Sequence, residues 1–255
     1  MAAGNRNRIL VITPTYNESM NIKEFIPAVL AIDKKIDILI IDDNSPDKTG
    51  DIVEKMRRRN PRIRLMRREK KLGLGTAYVA GFKRGLEEGY GYLFEMDADF
   101  SHKPEYLKMM IPILVKEKEE VVVGSRYIDG VSVAHWPLKR LILSRGANMY
   151  ASMITGVKVK DLTAGFVGYS REVLLSIDFQ RIKSSGYAFQ IEMKYRCHQG
   201  GFSIKEIPII FTDRDKGLSK MSRGIILEAL LRCWGLRFSR KSANLKARLK
   251  SKEKR

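Results

Sequence analysis

The chain has 255 residues, of which 44% are hydrophobic, so it can bury the core of one large α/β domain and is not globally disordered. Its formal net charge of +19 predicts a polyanionic partner, such as nucleic acid, an anionic membrane surface or a phosphorylated substrate. No window reaches the roughly 18 consecutive apolar residues of a membrane span, and the N-terminal residues do not resemble a signal peptide. Cys197 and Cys233 lack the spacing of a disulfide framework or a metal site, which is typical of proteins in a reduced cytosolic compartment.

Short apolar runs alternate with amphipathic segments in the first half of the chain. Strands are predicted at residues 9–12, 36–41, 63–66, 92–96 and 121–123, and helices at about 22–30, 49–59, 78–86 and 104–118. Asn17 or Ser19 is a candidate N-cap for the first helix. This alternation predicts an α/β domain with a mostly parallel central sheet and helices on both faces.

The second half of the chain has a less regular pattern. It predicts helices at about 138–155, 171–177 and 189–198, and strands at about 166–169 and 203–211. Because no linker separates the halves, we expect one domain over residues 1–222. An amphipathic helix is predicted at 223–238, which either lies at a membrane interface or packs on the domain. The basic tail at 239–255 is expected to be disordered and attracted to anionic lipid.

Polar loops follow four of the predicted strands, and the carboxyl ends of parallel strands meet at one edge of a sheet. One loop places Asp97 and Asp99 directly after an apolar run. Two carboxylates one residue apart can hold a divalent cation that also binds a diphosphate, although a solvated turn would have the same sequence. Asp42 and Asp43 follow another strand, where they either bind a ligand or cap the next helix. No Walker sequence is present to hold a diphosphate.

Several motifs occur in order between about residues 8 and 221. They are PTYNE at 14–18, DDNS at 42–45, GLGTA at 73–77, MDADFSH at 96–102, GSRY at 124–127, SRGAN at 144–148, DLTAGF at 161–166 and FTDRDKGLSKM at 211–221. With these motifs the chain resembles the inverting glycosyltransferase family 2, and in particular its dolichol-phosphate (polyprenol-phosphate) mannose synthases. The resemblance implies a GT-A (Rossmann-like) fold in a single domain.

The resemblance also implies a set of site residues, with Asp97, Asp99 and Arg126 as the catalytic ones. Nucleotide-sugar contacts are implied for Pro14, Tyr16, Glu18, Ile41, Asp43, Asp97, Ala98, Asp99, Ser101, Arg126, Arg214 and Lys220. A divalent cation, Mg²⁺ or Mn²⁺, is implied to bind Asp97, Asp99 and Ser101, and relatives often have glutamine where this chain has the serine. The acceptor phosphate is implied to contact Arg126, Arg140 and Ser144.

The role of Asp161 depends on the acceptor. Many relatives that act on hydroxyl acceptors use a carboxylate base, but a lipid phosphate is mostly ionised near neutral pH and needs no strong base. Asp161 is therefore interpreted as a positioning or sugar-binding residue, or as part of a structural turn. Gln190 and Glu192 either approach the donor or lie on a polar helix surface. The loop at 213–221 has the composition of a mobile flap over bound substrate.

The resulting hypothesis is a metal-dependent, inverting transfer of mannose from GDP-mannose to a polyprenyl (dolichyl) phosphate. The enzyme is expected in the cytoplasm, peripheral on the cytosolic face of a membrane, with an anionic membrane surface and a membrane-anchoring subunit as candidate partners. A close alternative keeps the mechanism but uses a UDP-sugar donor, UDP-glucose or UDP-N-acetylglucosamine. The third hypothesis is a basic nucleic-acid-binding protein, but no recognised nucleic-acid module supports it, so we expect no nucleic-acid partner.

Overall fold

A seven-stranded sheet forms the centre of the fold in the computed structural model, which describes residues 7–130, 132–134, 136–182, 184–212 and 232–238. The strands are β1 (Ile9–Thr15), β2 (Ile36–Asp42), β3 (Ile63–Arg67), β4 (Tyr92–Glu95), β5 (Val121–Ser125), β6 (Val133–Ala134), β7 (Val167–Ser170), β8 (Ile204–Pro208) and β9 (Phe211–Thr212). The large sheet has the order β3-β2-β1-β4-β7-β5-β8, and β6 pairs with β9 in a separate parallel ribbon.

Within the large sheet, only β7 runs antiparallel to its neighbours, β4 and β5. The predicted mostly parallel sheet is therefore confirmed, and the carboxyl ends of β1, β2, β4 and β5 lie at one edge. All seven residues of β2 are buried. Its sequence lacks polar alternation because both faces of the sheet are covered.

Helices cover both faces of the sheet, as predicted. They are α1 (Ile22–Leu30), α2 (Thr49–Arg57), α3 (Leu74–Glu87), α4 (Leu107–Val115), α5 (Leu138–Thr155), α6 (Arg171–Ser176) and α7 (Gly186–Gln199). Alternate residues of β1 belong to different cores: Ile9 and Val11 pack in the cluster that contains α1 and α4 side chains, whereas Leu10 and Ile12 pack in the cluster that contains α3 and α7 side chains. The period of two along the strand produces this division.

Two glycines let α3 approach the sheet closely. A Cβ atom at Gly81 would lie 2.5 Å from Cγ2 of Ile12, and one at Gly85 would lie 2.5 Å from Cδ2 of Leu93. Any larger side chain would therefore push the helix away from β1 and β4. This close contact brings the N-terminal half of α3 near the loop that follows β4.

Some local predictions are wrong. Asn21 occupies the N-cap of α1 without a side-chain hydrogen bond, so neither Asn17 nor Ser19 caps it. The helix predicted at 104–118 begins as a 3-10 turn, Pro104–Tyr106, and its α-helical part ends at Val115, before Lys118 adopts a positive φ of 59°. The ribbon of β6 and β9 has no sequence signal, because each of its strands has two residues and depends on a distant partner.

The C-terminal predictions fall largely outside the described residues. Residues 232–238 are helical, and Cys233 and Leu236 are buried in a cluster with Ala151 of α5, so this part packs on the domain. The flap at 213–221, the domain boundary at 222, the first part of the amphipathic segment and the tail at 239–255 are not among the described residues. In the described part of the chain, no helix is long and apolar enough to cross a membrane.

Candidate active site

The loops after β1 and β2 are joined at the carboxyl edge of the sheet. The amide of Asp43 donates to the carbonyl oxygen of Thr15 (3.1 Å), and the amide of Glu18 donates to Oγ1 of Thr49 (3.0 Å). Asn44 has a positive φ of 55°, a conformation that asparagine adopts more readily than most residues. These contacts fix the two loops side by side.

The predicted nucleotide residues of this region lie together at that edge. Pro14 and Ile41 are partners in the register of β1 with β2. Tyr16 is partly exposed, and Nζ of Lys71 lies 4.1 Å from the centre of its ring. Oε2 of Glu18 accepts a hydrogen bond from Nδ2 of Asn21 (2.9 Å). The structure thus assembles the predicted group, and its contact with a nucleotide stays a prediction.

Asp43 forms a buried bidentate ion pair with Arg68, a residue that belongs to none of the sequence motifs. Nε and Nη2 of Arg68 donate to the two carboxylate oxygens of Asp43 at 2.5 and 2.6 Å. Nη1 of Arg68 also donates to Oγ1 of Thr76 in α3 (2.8 Å). The alternative that Asp43 caps the next helix is wrong, since Lys48 occupies the N-cap of α2. Arg68 follows β3 directly, and this position was the signal available in the sequence.

Asp97 and Asp99, in the loop after β4, each accept a hydrogen bond that stabilises the loop. Oδ1 of Asp97 accepts a hydrogen bond from the Tyr78 hydroxyl (3.2 Å), which ties the loop to α3. Burial and the neighbouring Asp97 carboxylate raise the pKa of Tyr78 well above its ordinary value, so the hydroxyl remains a donor. Oδ1 of Asp99 accepts from the amide of Ser101 (3.0 Å) across a turn in which Phe100 has a φ of 59°.

This loop offers ligands that fit a hard divalent cation. Asp97 and Asp99 supply carboxylate oxygens, and Oγ of Ser101 is buried with no hydrogen-bond partner among the described residues. Among the described residues, no group of three or more His, Cys, Asp or Glu side chains could hold a metal. Carboxylate and hydroxyl oxygens are hard donors of the type that Mg²⁺ and Mn²⁺ prefer, and one or two carboxylates can bind such an ion together with substrate phosphate oxygens.

Arg126 and Asp161 form a second buried ion pair at the end of β5. Nε and Nη2 of Arg126 donate to the two oxygens of Asp161 at 2.7 and 2.6 Å, and the amide of Arg126 also donates to Oδ2 of Asp161 (3.1 Å). Burial alone would raise the pKa of Asp161, but Arg126 beside it lowers that pKa below its ordinary value. The same carboxylate raises the pKa of Arg126, against the effect of burial. Asp161 therefore positions Arg126.

Trp136, which also belongs to none of the sequence motifs, lies between the arginines predicted to bind the acceptor phosphate. The guanidinium carbon of Arg140 is 4.0 Å from the centre of the Trp136 ring, and that of Arg126 is 5.5 Å from it. Nε1 of Trp136 is buried and has no hydrogen-bond partner within the described part of the chain. The Tyr127 hydroxyl donates to Oγ of Ser144 (2.8 Å). The predicted group of Arg126, Arg140 and Ser144 is thus linked through aromatic side chains.

A buried polar network connects the loop after β4 with the loop that contains Asp161. Glu95, the last residue of β4, accepts from Tyr169 (3.2 Å) and from the side-chain amide of Gln190. Nζ of Lys194 donates to the carbonyl oxygen of Ala164 (2.7 Å) and to Oε1 of Gln190 (3.3 Å). Burial raises the pKa of Glu95 to about 7 and lowers the pKa of Lys194 to about 8.

Several other site predictions have definite positions in the structure. Ala98 is buried, and Gln190 and Glu192 are buried within the fold instead of lying on a polar helix surface. Glu192 accepts hydrogen bonds from Ser184 and Arg196. Arg214 and Lys220 lie outside the described residues, so their predicted contacts stay predictions.

The chain is similar in sequence to proteins of known function. The sequence model of glycosyl transferase family 2 matches residues 10–177. The chain is 45% identical over 233 residues to a polyprenol monophosphomannose synthase of Mycolicibacterium smegmatis, covering 90% of this chain and 88% of that protein. It is 39% identical over 231 residues to an undecaprenyl-phosphate mannosyltransferase of Micrococcus luteus, covering 90% and 94% of the two chains.

Solved structures show the same architecture at low sequence identity. Glucosyl-3-phosphoglycerate synthase from Mycobacterium tuberculosis, crystallised with Mn²⁺, UDP and glucosyl-3-phosphoglycerate, has a TM-score of 0.63 and 19% identity over 89% of this chain and 80% of that one. At this identity the likeness concerns the fold alone.

Proposed function

Because this chain belongs to glycosyl transferase family 2, we propose that it transfers mannose from GDP-mannose to a polyprenyl phosphate, with inversion at the anomeric carbon. Its fold is the predicted GT-A fold. The names of the two curated relatives support mannosyl transfer to a polyprenyl phosphate. The choice of GDP-mannose and the inverting stereochemistry are our own inference from the motifs.

The observation that carries the proposal is the pairing of Asp161 with Arg126. Both Asp161 oxygens are bonded to the guanidinium, so this carboxylate is poorly placed to take a proton from an acceptor hydroxyl. An ionised lipid phosphate needs no such base. An arginine held at a fixed position can instead bind a phosphate oxygen that approaches it.

In the proposed reaction, an acceptor phosphate oxygen attacks the anomeric carbon of mannose, and the bond from that carbon to the nucleoside diphosphate breaks. Arg126 and Arg140 would orient the acceptor phosphate, together with the Ser144 hydroxyl. Asp97 and Asp99, with the Ser101 hydroxyl, would hold Mg²⁺ or Mn²⁺, which supplies charge neutralisation at the departing diphosphate. Pro14, Tyr16, Glu18, Ile41 and Asp43 would line the nucleotide subsite beside Ala98, and Arg214 and Lys220 would contribute further cations.

The proposed enzyme works on the cytosolic face of a membrane as a peripheral protein. Its lipid acceptor lies in a membrane, and its net charge of +19 favours an anionic membrane surface. A membrane-anchoring subunit is a further partner that purification from cells would reveal.

The donor and acceptor can be tested in one experiment. The protein is incubated with Mg²⁺ or Mn²⁺, a polyprenyl phosphate, and in turn GDP-mannose, UDP-glucose or UDP-N-acetylglucosamine. We expect a mannosyl lipid from GDP-mannose alone, with the opposite anomeric configuration to the donor. Transfer solely from a UDP-sugar would overturn the proposed donor, and nucleic-acid binding without any transfer would overturn the enzyme class.

A further inference from the structure

The outward face of α5 carries an apolar stripe. Leu138, Ile142, Met149 and Met153 are each between 63% and 72% exposed. Their spacing of i, i+4, i+11 and i+15 places them on one side of the helix. A helix that meets only water normally turns polar side chains outward, and a contiguous exposed apolar patch indicates an interaction site.

A second apolar element borders this stripe. Nε1 of Trp234 donates to the hydroxyl of Tyr150 in α5 (2.8 Å), and the rings of Trp234 and Phe238 stack with their centres 5.7 Å apart. Both rings are exposed, while Leu236 on the same helical segment is buried against the domain. The segment is therefore attached to α5 and extends its apolar surface.

The charged residues of α5 and of the helical segment at 232–238 are all basic. The sequence of α5 includes Lys139, Arg140 and Arg145 and no acidic residue, and residues 232–238 include two arginines and no acidic residue. Lys139, Arg145 and Arg237 are exposed. Exposed apolar side chains bordered by cations are typical of surfaces that enter the headgroup layer of an anionic bilayer. A second copy of the chain would bring the same cations to this face, which makes self-pairing repulsive.

The opposite side of the same helix faces the predicted acceptor site. Asn148 is buried there and donates to the backbone oxygen of Ser144 and to Oγ1 of Thr163. Oγ1 of Thr163 accepts from Nη2 of Arg126 (2.8 Å). An α-helix is about 10 Å wide with its side chains. The apolar stripe and the predicted phosphate-binding residues are therefore separated by about one helix width.

We propose that this surface, formed by the outward face of α5 with Trp234 and Phe238, docks the protein on an anionic membrane. The apolar stripe lies among the lipid headgroups, and the inner side of α5 presents Ser144 and Arg140 at the depth of the lipid phosphates. The benefit to catalysis rests on the proposed function, because only a lipid acceptor requires this placement. The docking itself does not depend on it.

The test measures cosedimentation of the full chain with phosphatidylcholine vesicles that contain or lack phosphatidylglycerol. We expect the wild type to bind the anionic vesicles, and the variant L138Q/I142Q/M149Q/M153Q to bind them at least about tenfold more weakly. The matched control M109Q/L175Q changes exposed apolar residues on α4 and α6 and should bind like the wild type. Circular dichroism verifies that both variants are folded.

A second measurement reports the contact directly. The chain has two tryptophans, Trp136 and Trp234. Lipids brominated on their acyl chains should quench the fluorescence of the wild type, and the W234F variant should lose most of this quenching.

The outcomes separate docking from the proposed function. Undiminished vesicle binding by the fourfold variant would overturn the proposal and assign binding to another segment, such as the basic tail. A wild-type dimer that the fourfold variant converts to a monomer would overturn it in favour of self-association. A wild type that does not bind vesicles but transfers mannose to a short, water-soluble polyprenyl phosphate would overturn docking alone. Vesicle binding and quenching without any transfer would support docking and overturn the proposed function alone.

Discussion

Replacing Asp161 tests how the acceptor side of the site is built. Asp161 is fully buried, and it accepts three hydrogen bonds from Arg126, two of them from the guanidinium. Asp161→Asn keeps the shape but removes the charge that compensates a buried guanidinium. Breaking a buried ion pair from one side typically costs about 3–5 kcal/mol. We therefore expect the free energy of unfolding to fall by about that amount, and transfer to fall because Arg126 loses its fixed position.

The assay combines urea unfolding, followed by circular dichroism, with initial rates at varied acceptor concentration. The control is R126M/D161L, which removes both charges together. We expect this double variant to regain much of the stability, because no unpaired charge remains buried, while its transfer activity stays low. Wild-type stability in D161N would refute the reasoning. A loss of kcat at unchanged stability would instead indicate a catalytic base.

The pH dependence of stability provides an independent check on Asp161. Because Arg126 lowers the pKa of Asp161 in the folded state, the ionised carboxylate stabilises the fold above the ordinary aspartate pKa of about 3.9. This contribution is lost as the pH falls through the lowered folded value. Acid unfolding of D161N should lack that loss, and identical acid transitions in the two proteins would contradict the assignment.

Three further predictions concern other parts of the site. Asp99→Ala should abolish metal-dependent transfer while the melting temperature changes little; unchanged activity across a Mn²⁺ titration would exclude the metal role. Trp136→Leu removes the ring whose centre lies 4.0 Å from the guanidinium carbon of Arg140. Loss of a cation–π contact of about 0.5–1 kcal/mol predicts a roughly two- to fivefold rise in the acceptor KM, whereas W136F keeps an aromatic ring and should show little change. Burial raises the pKa of Glu95 to about 7, so the stability of the fold declines as the pH rises from about 4.5 to 7 and the carboxylate ionises more readily in the unfolded chain. Glu95→Gln should remove this decline in the urea midpoint, and a pH profile like that of the wild type would contradict the assignment.

Local sequence signals predicted most of the fold and the positions of several candidate site residues at the sheet edge. The apolar runs of β1 and β2 and the helical spacing of Ile22, Phe25 and Ile26 are patterns within single elements, so the sequence alone reveals them, and the structure confirms them. The position of Asp97 and Asp99 after a strand could be predicted because strand ends of a parallel sheet share an edge. The antiparallel direction of β7 could not be predicted, because the residues of Val167–Ser170 would suit a parallel or an antiparallel strand equally well.

The sequence by itself determined the family, the alternation of strands and helices, and the residue types available at the sheet edge. Only the tertiary structure decided which of those side chains pair. Arg68 reaches Asp43 across 25 positions, Asp161 holds Arg126 across 35, and Gln190 meets Glu95 across 95. Such pairs leave no periodic signal, because the distance between them is set by how the strands are ordered in the sheet. The outward face of α5 was likewise decided by packing, since its apolar residues could equally have been buried until the fold placed Asn148 and Ala151 inside.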